Sequence, residues 1–270
     1  MSHITRSVLW LSFFGLILAA WAMMYMMSMS MGLDLIGRPN EMAQRMAMMD
    51  PRMPMDMAQD MAQDMAMARF GPLFAMWAIM MAAMMLPTMV PTLRSYEDLM
   101  VSATGTRAGW LGVIAGYFIV WVAFAALITS VQLLLLYGGV IDMLGMAKSH
   151  WVTAGLLIAV GLFQFSRAKE ICHGVCHSPM MYFLGSWKTG ALGGLRMGLG
   201  LGAFCVGCCW GFMALGFVGG VMSLLWMGAA TLFMVLEKLP QIGHIITKPM
   251  GFALILAGLA VGVYPFIVGA

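Results

Sequence analysis

Long apolar runs separated by short charged stretches recur along the chain. Read as helices, they fall at 8–31, 72–93, 108–137, 151–166, 198–217, 220–236 and 249–268. About 20 apolar residues make a helix long enough to cross a bilayer. The pattern therefore predicts an all-α, polytopic integral membrane helix bundle of about seven transmembrane helices, without a soluble domain. Pro87 and Pro91 lie inside the second run. Each removes a backbone donor, so that helix should kink or end near them.

Composition agrees. The 270 residues are 62% hydrophobic and 9% charged, whereas soluble domains carry about 25% charged residues. Orientation follows from lysine and arginine, which favour the cytoplasmic side. The N-terminus and the stretches 94–107, 167–197 and 237–248 hold nine of them, and the remaining loops hold five. This predicts a multi-pass protein of the bacterial inner (cytoplasmic) membrane with a cytoplasmic N-terminus. The chain reads as one transmembrane domain, 1–270, with a periplasmic loop at 32–71 and a cytoplasmic-side Cys/His segment at 167–209. Glu237 and Lys238 close the sixth run, where a charged pair is expected to sit at the interface or to face the bundle.

Methionine changes the picture, because the chain has 34 of them. The thioether is both a flexible core filler and a soft ligand suited to Cu(I). Ten methionines lie between Met42 and Met67, partly as the repeat MAQDMAQDMAMA. Met53, Met57, Met61 and Met65 recur every four residues beside Asp56, Asp60 and Asp64. On a helix this spacing makes a thioether stripe along a carboxylate stripe. One reading is a Cu(I) or Ag(I) collector, and the other is an amphipathic surface helix. In the second run Met76, Met80 and Met84 form one line and Met81, Met85 and Met89 another. There packing is favoured over a metal relay.

The remaining soft ligands are concentrated in one stretch. All five cysteines lie between CHGVCH at 172–177 and FCVGCCW at 204–210. Cys205, Cys208 and Cys209 stand at i, i+3 and i+4, so one helix face carries three thiols. Cys172 and Cys176 share a face at four-residue spacing, with His173 and His177 beside them. Thiolate and imidazole sets bind soft and borderline metals. Copper as Cu(I) is the expected ion, with zinc as the alternative. Convergence of the two segments on one ion is expected across the glycine-rich stretch 190–202. Small-residue packing competes with this reading, and CVGC also fits a redox dithiol.

Several of these stretches together resemble a known family. WAIMMAAMMLPTMVP upstream, then KEICHGVCHSP, WKTG at 187–190, GAFCVGCCWGFMALGFVGGVMSLLWM and LEK at 236–238 follow one another in the order of that family. The sequence is similar to a bacterial family of unknown function described as predicted metal-binding integral membrane proteins. The resemblance spans most of 72–240 and implies Cys172, Cys176, Cys205, Cys208 and Cys209 as the shared polar features. That family usually has a basic residue after the second cysteine, where this chain has His177.

The expected function is soft-metal handling at the membrane by transport, loading or sensing. The alternatives are a non-catalytic accessory subunit of a larger membrane complex and a membrane thiol oxidoreductase. Expected partners are membrane lipid, other membrane subunits or a periplasmic copper protein, and no nucleic acid. The sequence carries no catalytic triad, phosphate loop or paired buried carboxylates.

Overall fold

The computed structural model describes residues 3–38, 68–103, 105–142, 144–239 and 242–268. Among these, regular structure is helical throughout. In chain order the helices are α1 (His3–Ser30), α2 (Phe70–Thr88), α3 (Val90–Ser102), α4 (Arg107–Tyr137), α5 (His150–Phe163) and α6 (Arg167–His177). They continue as α7 (Pro179–Ser186), α8 (Gly190–Ala214), α9 (Gly216–Gly219), α10 (Leu224–Glu237) and α11 (Gly243–Val268). Met53, Met57, Met61 and Met65 lie outside the described residues.

Five stretches are long and apolar enough to cross a membrane: α1, α2, α4, α8 with α9, and α11. A sixth exists if α5 and α6, bent by 63° at a short break, count as one span. The expected fourth run is thus the 14-residue α5, and the expected sixth is the 14-residue α10. Proline acts where anticipated. α2 ends one residue after Pro87, and a break at Met89 separates it from α3, which has Pro91 in its first turn.

The glycine-rich stretch differs from its sequence reading. It forms the first half of α8, which begins at Gly190. The reason is the close approach of α4. A Cβ at Gly194 would collide with the carbonyl of Gly109, and one at Gly198 with the carbonyl of Val113. On the facing side, a Cβ at Gly112 or Gly116 would strike the α8 backbone. Small residues let two helix backbones touch, and dispersion contacts then hold them. The pairing of α4 with α8 is the most extensive in the fold, followed by α5 with α11.

Shorter elements lock onto this pair. α6 is started by Ser166, whose Oγ accepts the Lys169 N–H at 3.1 Å. This satisfies one of the orphan donors at a helix start. α6 then packs on α8. Glu97 of α3 accepts from the Trp10 indole at 2.8 Å and pairs with Arg6 at 3.0 Å, tying α1 to the bundle. The two methionine lines of α2 are both fully buried.

Candidate metal centre

The bend between α5 and α6 turns the first cysteine segment against α8. Cys176 ends a turn of α6, while Cys205 and Cys208 share one face of α8. Their three Sγ atoms all lie within 4.8 Å of one another. Cys176 and Cys208 are 3.7 Å apart. Cys209 adjoins the set, 3.3 Å from Cys208 and 4.0 Å from Cys205. All four thiols are buried and free. An ion at the centre of a sulfur triangle with edges of 3.7 to 4.8 Å sits about 2.1–2.8 Å from each sulfur. That brackets the metal–thiolate bond, about 2.3 Å for zinc. The donor set therefore fits a soft ion in trigonal geometry.

The other candidates lie beside this set. The half-buried Cys172 sits one turn before Cys176 with its Sγ against Gly207, where a Cβ would approach it to 2.7 Å. Gly207, within CVGCC, is what lets α6 lie this close to α8. His173 uses Nε2 on the Glu237 carbonyl at 2.8 Å. The His177 ring lies 5.4 Å from that of His173, tilted by 40°, and its Nδ1 is buried without a hydrogen-bond partner among the described residues. Neither histidine belongs to the mutually close ligand set. The set is also deep: Cys205 is the sixteenth of the 25 residues of α8. It lies where α2 breaks, α10 ends and α6 tucks in.

The polar surroundings of the sulfurs were the part that residue spacing did not reveal. Lys238 is buried and donates to Cys205 Sγ at 3.1 Å and to Thr88 Oγ1 at 2.8 Å. Tyr117 OH lies 3.0 Å from the same sulfur and 3.3 Å from Thr88. A buried ammonium is stable only with a counter-charge or full hydrogen bonding. Cys205 Sγ, 3.1 Å away, is a group that would supply that counter-charge as a thiolate. Glu237, its neighbour in sequence, pairs elsewhere. It meets Lys169 at 2.9 Å and accepts from Thr247 at 2.9 Å. Lys169 also donates to the Cys208 carbonyl at 2.8 Å, so this buried pair fixes α6, α8, α10 and α11 around the sulfurs. The one available signal was a Glu-Lys dipeptide closing an apolar run. Such residues face inward when they cannot reach water.

This arrangement can hold a soft cation among three or four sulfurs, with one fixed positive charge beside them. Comparison with curated proteins returns no match, and neither does comparison with solved structures. A family model described as PpoB2, copper chaperone, matches residues 74–261 and so covers α2 through most of α11, including every cysteine. The metal-binding character implied by the resemblance is thereby supported, and the chain belongs to the PpoB2 copper chaperone family.

Proposed function

We propose that this protein is a membrane-embedded Cu(I) chaperone that holds one ion on Cys176, Cys205 and Cys208, with Cys209 as an exchange ligand. The observation that carries the reading is the meeting of three thiols from two helices within 4.8 Å. Thiolates select Cu(I) over hard cations. Trigonal sulfur also leaves an approach open for an incoming ligand, which release to an acceptor requires. Cys209, one residue from Cys208, can take over a vacated position. Lys238 balances the negative charge of the thiolates and Tyr117 hydrogen-bonds Cys205, so the site tolerates its burial with or without the ion. Cys209 would supply the fourth ligand that tetrahedral zinc prefers, so copper is favoured by the family match and not by ligand count.

A bacterial inner-membrane location is supported by the five long apolar stretches and by outward-facing leucines such as Leu11, Leu18, Leu134 and Leu256. Exposed apolar surface on this scale belongs against lipid or another subunit. With α10 as a short span the count reaches seven, and the nine-to-five lysine and arginine distribution favours a cytoplasmic N-terminus. The acceptor would be a periplasmic or membrane copper protein. The test is anaerobic transfer. Cu(I)-loaded protein in detergent is mixed with an apo copper acceptor, with the acceptor kept behind a dialysis membrane as a control. Transfer by contact but not across the membrane supports a chaperone. Equal transfer in both, or none, defeats the reading.

A further inference from the structure

A small cavity lies between α2, α8 and α10. Its wall includes four methionines: Met80 and Met84 from α2, Met213 from α8 and Met227 from α10. All four are fully buried. The cavity measures about 10 Å³, room for one small occupant. Phe212, Trp226, Val221 and Ala230 complete most of the wall. Water needs two to four hydrogen-bonding partners, and side chains of these types offer it few. A void of this size is at the lower limit for a single occupant, so what sets it apart is its lining and not its existence. What those four side chains share is a soft sulfur ligand.

The three helices also carry chemistry from this cavity to the cysteines. On α2, Met84 is followed four residues later by Thr88. On α8, Met213 is preceded at four-residue steps by Cys209 and Cys205. On α10, Met227 is followed by the buried Met234 and then by Lys238. Eight residues of helix rise about 12 Å, so Met213 lies about that far along the axis from Cys205. Cys209 and Met234 occupy the intervening turns. The stretch after α1 meets the start of α10, the helix that supplies Met227. The Leu225 N–H donates to the Leu35 carbonyl at 2.9 Å, a Cβ at Gly37 would touch Ser223, and α2 starts at Phe70.

We propose that Met80, Met84, Met213 and Met227 form a second Cu(I) site, a neutral thioether station that feeds the cysteine centre. The inference deepens the copper reading and rests on it. Neutral thioethers hold a monovalent cation less tightly than thiolates, so an ion moves from this station toward the cysteines downhill. The thioethers strip water from the ion without releasing a proton.

The test uses the full chain in detergent with Ag(I), a redox-inert probe for soft sites, and counts bound ions at equilibrium. All samples, the wild-type background included, carry leucine at the ten methionines from Met42 to Met67, so that the outer loop adds no thioether sites, and that background should bind two ions, one weakly. With all five cysteines replaced by serine, one weak ion should remain, and it should vanish when Met80, Met84, Met213 and Met227 are also changed to leucine. If the cysteine-free chain misfolds, the same four leucines in the wild-type background should reduce two ions to one. A wild-type count that the leucines leave unchanged overturns the station and makes the cavity a packing defect. A single wild-type ion that survives Cys→Ser and is lost with the leucines upholds the station but sinks the thiolate centre.

Discussion

Replacing Glu237 by leucine tests the frame that holds the sulfurs. The Glu237 and Lys169 side chains are 2% and 1% exposed, and their charges meet at 2.9 Å. Removing the carboxylate leaves the Lys169 ammonium buried with the Cys208 carbonyl and the face of Phe212 but no counter-charge from Glu237, while Thr247 keeps its bond to the Gly243 carbonyl at 2.8 Å. Breaking one side of a buried pair costs about 3–5 kcal/mol. For a protein of this size that is a fall of about 10 °C in apparent Tm. Replacing both members by apolar residues of similar volume is often close to neutral. The expected order of stability is therefore wild type, then Lys169→Met with Glu237→Leu, then either single variant. Thermal unfolding followed by circular dichroism at matched detergent concentration reads this order. Single variants as stable as wild type, or a double variant worse than both, would refute the argument that the pair is a buried clamp. The clamp also predicts that Glu237→Leu loosens the sulfurs, because Lys169 is anchored to the Cys208 carbonyl.

Other consequences are open to direct measurement. Lys238→Met removes the charge beside Cys205 and should weaken Cu(I) binding at least tenfold in chelator competition, while Lys238→Arg retains part of it. Gly198→Ala forces a side chain into the α4 backbone and should abolish both folding and metal content, whereas Gly155→Ala, which meets nothing within 4 Å, should do neither. Gly207→Ala should displace Cys172 and α6 and lower copper content with the bundle intact, as judged by helicity. Copper binding displaces protons from thiols, so affinity should rise with pH by up to about tenfold per unit for each proton released. A flat profile would mean thiols are not the ligands.

Much of the fold was readable from periodicity. The long apolar runs became α1, α4 and α11, and the break near Pro87 follows from a missing donor. The span count was less legible, because α5 and α10 have 14 residues each and run length alone cannot tell a short span from a tucked-in helix. The glycines at 190–202 read as a return because glycine is a weak helix former. In the fold they are helical because a neighbouring backbone occupies the space of their side chains. Within the site, the i, i+3, i+4 spacing of Cys205, Cys208 and Cys209 gave one face directly. The choice of Cys176 over Cys172, and the use of His173 on a backbone carbonyl, depend on the 63° bend before α6, which spacing does not encode. Thr88 ends α2, Tyr117 lies in α4 and Lys238 follows α10, and only tertiary packing brings them to Cys205.

Cu(I) placed among the sulfurs of Cys176, Cys205 and Cys208 has a distinct X-ray absorption signature in protein loaded anaerobically with one equivalent of the ion. The expected first shell is about three sulfurs near 2.3 Å, as for other metal–thiolate bonds, with no imidazole scattering. That shell should be lost when Cys176, Cys205 and Cys208 are changed to serine. An identical spectrum in the triple variant, or a shell of nitrogen from His173 and His177, would contradict this placement.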